Sequence, residues 1–299
     1  MAMARFLTRF APSPTGRLHL GHAFSALTAF DAAREAAGTC LVRIEDIDTT
    51  RCKPEFEAAI FDDLHWLGCD WPTPVRRQSA HFPEYARALD QLANQGLVYR
   101  CFKTRKEIAE EIARAPHQIG EGPEGAIYQG PAKPLSADEE AARIEAGEAY
   151  SWRLSIKAAR EHLGAAFEAL HFIEEGAGPQ GETGLIKARP ESLGDVILGR
   201  KDVGTSYHLA CVHDDGQQGV THVIRGQDLF FAAHLHVLLQ ALLDLPRPVY
   251  RHHRLLVGED GERFAKRDAS LTLQSLREAG KSPQDIRAMA GLQPPRGRK

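Results

Sequence analysis

The sequence predicts an α/β fold in which a parallel sheet is split by an insertion, and three observations predict it. Residues 5–46 read strand, helix, strand, a crossover that makes a parallel pair. Residues of about 100–190 change character, to charged helical stretches and a run rich in Gly and Pro. Strand-like and strongly apolar helical patterns then resume between Asp195 and Pro246. The expected boundaries are therefore 1–100 for the first half of the main domain, 101–190 for the insertion and 191–299 for the second half. In sheets of this kind the ligand lies at the carboxyl ends of the strands.

Taken in order, a short apolar strand (Phe6, Leu7, Phe10) leads into a helix from about Gly21 to Ala37, with Ala23, Phe24, Leu27 and Phe30 on one face and Gly38 as its stop. Cys40 to Asp46 reads as the second strand, and Pro54 is a suitable first residue for a helix carrying Phe56, Ile60, Leu64 and Leu67. Another helix starts near Pro83 and ends at Gly96. Inside the insertion, 103–118 and 136–148 are helical in pattern, 117–135 and 175–184 are loops, and Trp152 to Ile156 alternates as a strand does. Asp195–Leu198, Tyr207–Val212 and Val220–Ile224 are the strands expected next, followed by an apolar helix from Phe230 to Leu243.

Composition excludes some classes. No run of about 18 apolar residues occurs, so no transmembrane helix is indicated. Met1 to Arg5 has no apolar stretch long enough for a signal peptide, so none is expected. Five scattered cysteines (Cys40, Cys52, Cys69, Cys101, Cys211) fit reduced thiols better than a disulfide framework, which points to a cytoplasmic protein with no membrane partner. With a net charge of −3, nucleic-acid binding must rest on local clusters such as Arg76-Arg77, Lys103 to Lys106 and the basic tail.

The stretch that carries chemistry is Arg9 to His22. Two prolines and a glycine build a turn between strand and helix, and His19 and His22 bracket Gly21 at the helix start. Free N–H groups at a helix N-terminus attract phosphate, both imidazoles can donate there, and Gly21 lets a flat ligand lie against the backbone. A lone His-x-x-His is ordinarily two surface histidines; its company along the chain reverses that reading.

Arg9-Phe10-Ala11-Pro12-Ser13-Pro14-Thr15-Gly16 followed by His19-Leu20-Gly21-His22 resembles the glutamate-specific signature of the class I aminoacyl-tRNA synthetases. Arg43 to Asp48, Leu64 to Gly68, Arg77 to Ser79, Gly96 to Cys101, Gly219 to Gly226 and Arg263 to Arg267 resemble further blocks of that family in the same order, over about residues 5–280. The resemblance implies a Rossmann-like catalytic domain with an inserted acceptor-type α/β subdomain. Glutamyl-tRNA synthetases continue into a helical anticodon-binding domain. A chain without one resembles the short branch that attaches glutamate to queuosine in the anticodon of tRNA(Asp).

Two departures stand out. Members with zinc carry Cys-x-Cys and then Tyr-x-x-x-Cys. Here the places read Cys101-Phe102-Lys103 and Tyr128 to Ala132, so zinc is not expected. The Lys-Met-Ser-Lys-Ser loop appears as Arg263-Phe264-Ala265-Lys266-Arg267, with its second lysine kept as Lys266 and its serine replaced by Ala265.

The resemblance further implies that L-glutamate and ATP are substrates, that Mg²⁺ is held by phosphates and water, and that the partner is the tRNA(Asp) anticodon stem–loop. It places His19, His22 and Lys266 in catalysis and, with Gly21, on ATP. It places Arg9, Ala11, Ser13, Glu45, Tyr207 and Arg225 on the amino acid. Which arginine takes the side-chain carboxylate stays open. His208, His213, Asp214 and Asp215 read as polar residues at a strand end rather than a metal cluster. A monomer is expected. Two alternatives remain: a tRNA 3′-end-charging enzyme with a separate anticodon-binding partner, and a non-catalytic module built on the same fold.

Overall fold

The computed structural model describes residues 5–114, 121–123, 125–131, 135–256 and 272–294. The expected opening is present: β1 (Leu7–Phe10) and β2 (Thr39–Ile44) pair in parallel across helix α1 (Leu20–Glu35), with Leu7 opposite Thr39 and Phe10 opposite Val42. The exit from α1 works differently from the expectation. The left-handed residue is Ala37, at φ 49°, and not Gly38. At Gly38 a Cβ would stand 2.2 Å from the Phe6 carbonyl oxygen, so glycine is there to let two backbones pass closely.

α2 (Pro54–Trp66) starts on its proline and buries Ile60 and Leu64; β3 (Arg76–Arg77) then adds in parallel to β2. α3 (Phe82–Asn94) buries Tyr85, Leu89 and Leu92. β4 (Val98–Cys101) ends where the insertion is expected to begin; the expected insertion holds α4 (Arg105–Arg114), a small pair β5 (Glu121–Gly122) and β6 (Gly125–Ala126), and α5 (Ala137–Glu145), which opens on a Ser136–Glu139 capping box. After these come β7 (Ser151–Leu154), α6 (Ile156–Leu163), α7 (Ala165–Glu168), β8 (His171–Glu174), β9 (Gly184–Lys187) and β10 (Ile197–Gly199). β10, β7 and β4 form an antiparallel sheet in that order. The β8–β9 hairpin goes elsewhere, as shown below.

The stretch Tyr207–Val212, expected as a strand, is the first half of helix α8 (Tyr207–Gln217). Leu209 to Val212 are all buried, and a continuous apolar run has no period that tells strand from helix. The signal that decides is Ser206, whose hydroxyl caps the helix by accepting from the Leu209 N–H. His213, Asp214 and Asp215 are therefore helix residues and not strand-end residues. Tyr207, Cys211 and Asp215, spaced by four, share one helix face.

β11 (His222–Gly226), α9 (Phe230–Leu242), β12 (Val249–His253), α10 (Leu273–Glu278) and α11 (Pro283–Met289) complete the chain. β11 and β12 are parallel, and β12 pairs in parallel with β8 through Tyr250 and Glu174. β11 runs beside β1: the Thr221 N–H donates to the Leu7 carbonyl at 2.9 Å, and the Leu7 N–H to Thr221 Oγ1 at 2.9 Å. One core packs α9 and α8 against β8, β11 and β12; the other packs α1 against β1 and β2 and is closed by Leu273, Leu276 and Ile286. No described helix is long and apolar enough to cross a membrane.

Candidate active site

A cleft of about 840 Å³ opens at the carboxyl ends of β1, β2 and β11. Arg9, Ala11, Ser13, His19, Gly21, His22, Glu45, Tyr207 and Arg225 all line it, so the structure brings together nine of the residues singled out in the sequence. Lys266 and Ala265 lie outside the described residues; the chain on either side, at Leu256 and Thr272, borders the same cleft.

The two histidines cap their own helix. His19 is the N-cap, and its Nδ1 accepts from the Gly21 N–H at 3.1 Å. His22 Nδ1 accepts from the His19 N–H at 3.2 Å, which completes a reciprocal box of two imidazoles. A ring nitrogen that accepts carries no proton, so in the neutral form each Nε2 is a donor. Burial lowers the His19 pKa and favours that neutral form. Gly21 has a nearer neighbour than a ligand: a Cβ there would meet His19 Cε1 at 3.0 Å, so the glycine admits the capping ring.

Behind the cleft lies a buried ionic chain. Arg9 donates to Asp215 from Nε at 2.9 Å and from Nη2 at 3.3 Å. Arg43, fully buried, donates to Asp215 Oδ1 at 2.7 Å and to Glu45 Oε1 at 3.0 Å. Burial works to raise the Asp215 carboxyl; the charges of Arg9 and Arg43 overcome it and hold the group down at about 2. At Glu45 the balance goes the other way, and burial outweighs the pull of Arg43 and Arg9 to raise its pKa. Burial also holds the Tyr207 phenol well above its ordinary value, which keeps it a hydroxyl donor.

Arg225 is in a different position. Its Nε donates to His252 Nε2 at 3.0 Å, its Nη1 contacts His236 Nδ1 at 3.2 Å, and its Nη2 donates to the Leu229 carbonyl at 2.9 Å. No described carboxylate lies within salt-bridge distance of it. Arg9 has its charge matched by Asp215; Arg225, only 4 % exposed, is held by neutral acceptors alone. Those three bonds leave one N–H on each terminal nitrogen, the pair that a bidentate carboxylate takes.

Among the described residues one trio has metal-ligand spacing: Glu84, His213 and Asp214, with ligand atoms within 4.8 Å. The Arg76 guanidinium already bridges it, at 2.8 Å from Asp214 and 2.5 Å from Glu84. Cys101 and Tyr128, all that the sequence keeps of the zinc pattern, pack in a small apolar cluster with Ile108. Elemental analysis of the purified protein should find far less than one zinc per chain; a value near one would require ligands outside these positions.

Sequence reasoning missed Arg43, Asp215, Glu174, His236 and His252. Arg43 on β2 and Glu45, the residue after its end, are two apart in an extended stretch and pair with each other, a signal that was available. Asp215 was hidden by the strand assignment, and the other three come from separate elements.

The family of tRNA synthetases class I (E and Q), catalytic domain, matches residues 5–293. A protein named glutamyl-Q tRNA(Asp) synthetase from Rhodobacter capsulatus is 47% identical over 291 residues, covering 96% of this chain and 100% of that protein. A protein of the same name from Nitratidesulfovibrio vulgaris is 40% identical and covers 91% and 81%. Glutamate–tRNA ligase 2 of Ruegeria sp. is 37% identical, covering 93% of this chain and 59% of its own. The crystal structure of a glutamate tRNA ligase from Elizabethkingia meningosepticum, in complex with its amino acid, superposes with a TM-score of 0.69 at 26% identity. This chain has 89% of its length in that superposition and spans about half of the larger protein, 53%. A family match from residue 5 to residue 293, on a fold shared with a glutamate tRNA ligase, settles the relationship: the chain belongs to the class I tRNA synthetases (E and Q), in their catalytic-domain family.

Proposed function

We propose that the protein activates L-glutamate with ATP and transfers it to queuosine in the anticodon of tRNA(Asp). The observation that carries this reading is the 47% identity to a glutamyl-Q tRNA(Asp) synthetase matched over all of that protein's length. In the first step an oxygen of the glutamate α-carboxylate attacks the α-phosphorus of ATP. The bond to pyrophosphate breaks, and glutamyl-adenylate forms. In the second, a queuosine hydroxyl attacks the activated carbonyl, loses its proton and displaces AMP. No protein nucleophile is needed; the protein must hold the carboxylate in line and stabilise phosphate charge.

The Nε2–H donors of His19 and His22, beside Gly21 at the N-terminus of α1, suit the ATP phosphates. Lys266 is assigned to the departing pyrophosphate as a point charge, and the segment that contains it joins the described chain at two residues bordering the cleft. Arg225 takes the side-chain carboxylate, because its charge has no described carboxylate partner. Arg9, with Ala11, Ser13 and the Tyr207 hydroxyl, completes the amino-acid pocket, and Glu45 meets the ammonium group. Mg²⁺ would be held by phosphates and water, and the partner is the anticodon stem–loop of tRNA(Asp), bound by a monomer.

The second reading, charging of a tRNA 3′ end, is favoured by the 37% identity to glutamate–tRNA ligase 2 of Ruegeria sp.. Labelled glutamate and tRNA(Asp) without its 3′ CCA separate the two. Labelling should persist on this tRNA and vanish when guanosine replaces queuosine. Labelling that requires the CCA end, or that goes to tRNA(Glu), would establish the second reading instead.

A further inference from the structure

The groups that hold Arg225 form a buried chain that the activation chemistry does not use. An arginine only donates, so each ring nitrogen facing Arg225 must present a lone pair. His252 Nε2 faces Arg225 Nε at 3.0 Å, and the proton of that ring therefore sits on Nδ1. There it meets Glu174 Oε2 at 2.5 Å. The other oxygen of Glu174 accepts the backbone N–H groups of His252 and Gly176, both at 2.8 Å. Space for this is made at Gly176, where a Cβ would stand 2.1 Å from the His252 carbonyl oxygen and 2.9 Å from Glu174 Oε1. On the other side His236 Nδ1 accepts from Arg225, and its Nε2 lies 3.2 Å from His208 Nδ1. Glu174 is 1 % exposed and is not among the residues lining the cleft; of the groups its side chain bonds, His252 is the one that also bonds Arg225.

We propose that Glu174 is a positioning residue for Arg225: by fixing the tautomer of His252 it keeps a lone pair, and not a proton, against the arginine that reads the glutamate carboxylate. The inference rests on that role of Arg225. Its content is a matter of proton placement. In Glu174→Gln the two backbone N–H groups still require an oxygen, so the amide oxygen takes the Oε1 place and the NH₂ takes the Oε2 place. A donor then faces His252 Nδ1, the ring proton moves to Nε2, and N–H faces N–H at Arg225. The guanidinium must shift out of its geometry with no change in its own side chain.

The test is glutamate-dependent ATP–pyrophosphate exchange. Glu174→Gln should raise KM for glutamate by about 10- to 100-fold, the scale of one lost hydrogen bond to a charged group, with KM for ATP unchanged. In a His252→Ala background no ring links residue 174 to Arg225, and Glu174→Gln should then add less than about twofold, well inside one hydrogen bond. An unchanged KM in the first variant overturns the proposal; so does an equal rise in both backgrounds, which marks a merely structural role. Long-range ¹H–¹⁵N correlation on the unaltered protein gives an answer independent of any variant. The His252 proton is expected on Nδ1, and a proton on Nε2 overturns the proposal. Arg225→Gln separates the two levels. If it leaves KM for glutamate unchanged, the carboxylate reading itself fails; if it raises KM while Glu174→Gln does not, only the positioning role falls.

Discussion

Replacing Arg225 with glutamine should lower kcat/KM for glutamate in pyrophosphate exchange by roughly two to three decades. The side chain is almost fully buried, and the donors it has left are not neutralised by any described carboxylate. A glutamate carboxylate arriving there loses its water and gains a charge-assisted pair. Truncating one partner of such a buried pair costs about 2–5 kcal/mol, and about 1.4 kcal/mol is one decade. The same difference should make the unaltered protein prefer glutamate over glutamine by a comparable factor, since an amide offers the arginine no charge. In Arg225→Gln that preference should collapse toward one. Kinetics with both amino acids measure it; a variant that keeps its full preference would assign the discrimination to Arg9.

Asp215→Ala should be the most destabilising single change near the site, by about 3–5 kcal/mol. Asp215 is buried and shared by two buried guanidinium groups; its removal leaves Arg9 without its described carboxylate partner and Arg43 with Glu45 and Asp214 alone. At about 3–5 kcal/mol the melting temperature should fall by about 6–10 °C, read by calorimetry at neutral pH. A variant as stable as the parent would show that the arginines find other partners. The acid side of the stability profile carries the same signature. The folded carboxyl titrates at about 2, below its ordinary 3.8. Because the folded value is depressed, the stabilisation is complete above about pH 4 and is lost as the pH falls through about 2. It amounts to about 2–3 kcal/mol.

How legible the site was depends on whether its parts are local. The His19–His22 motif was readable because a helix start, a glycine and two imidazoles lie within four consecutive positions. Even so, the reason given for Gly21 was incomplete, since the capping ring and not only a ligand needs the space. Arg9 and Arg225 were both legible as cations. What separates them is not, because the partners that neutralise one and leave the other charged come from α8, α9 and β12. The strand assignment for Tyr207–Val212 had the largest cost. The expected strand stops at Val212, short of Asp215; on α8 Tyr207, Cys211 and Asp215 are successive turns of one face, which runs from the cleft into the ionic chain behind it. The fold as a parallel sheet with an insertion was legible. That part of the inserted stretch returns to that sheet was not, because four-residue strands with exposed faces carry little pattern.

That return has a consequence for biosynthesis. The β8–β9 hairpin leaves the ribosome some seventy residues before β12, the strand it pairs with. During that interval the inner edge of β8 offers unpaired backbone groups while Ile173 and Leu185 stand outward, a combination that invites pairing with other chains. The closing contact is a long-range one, and contacts of large sequence separation form slowly. When β12 arrives, the bond between Glu174 and His252 is made in the same event that seals the edge. The inner edge of β8 is therefore covered only once β12 has been made.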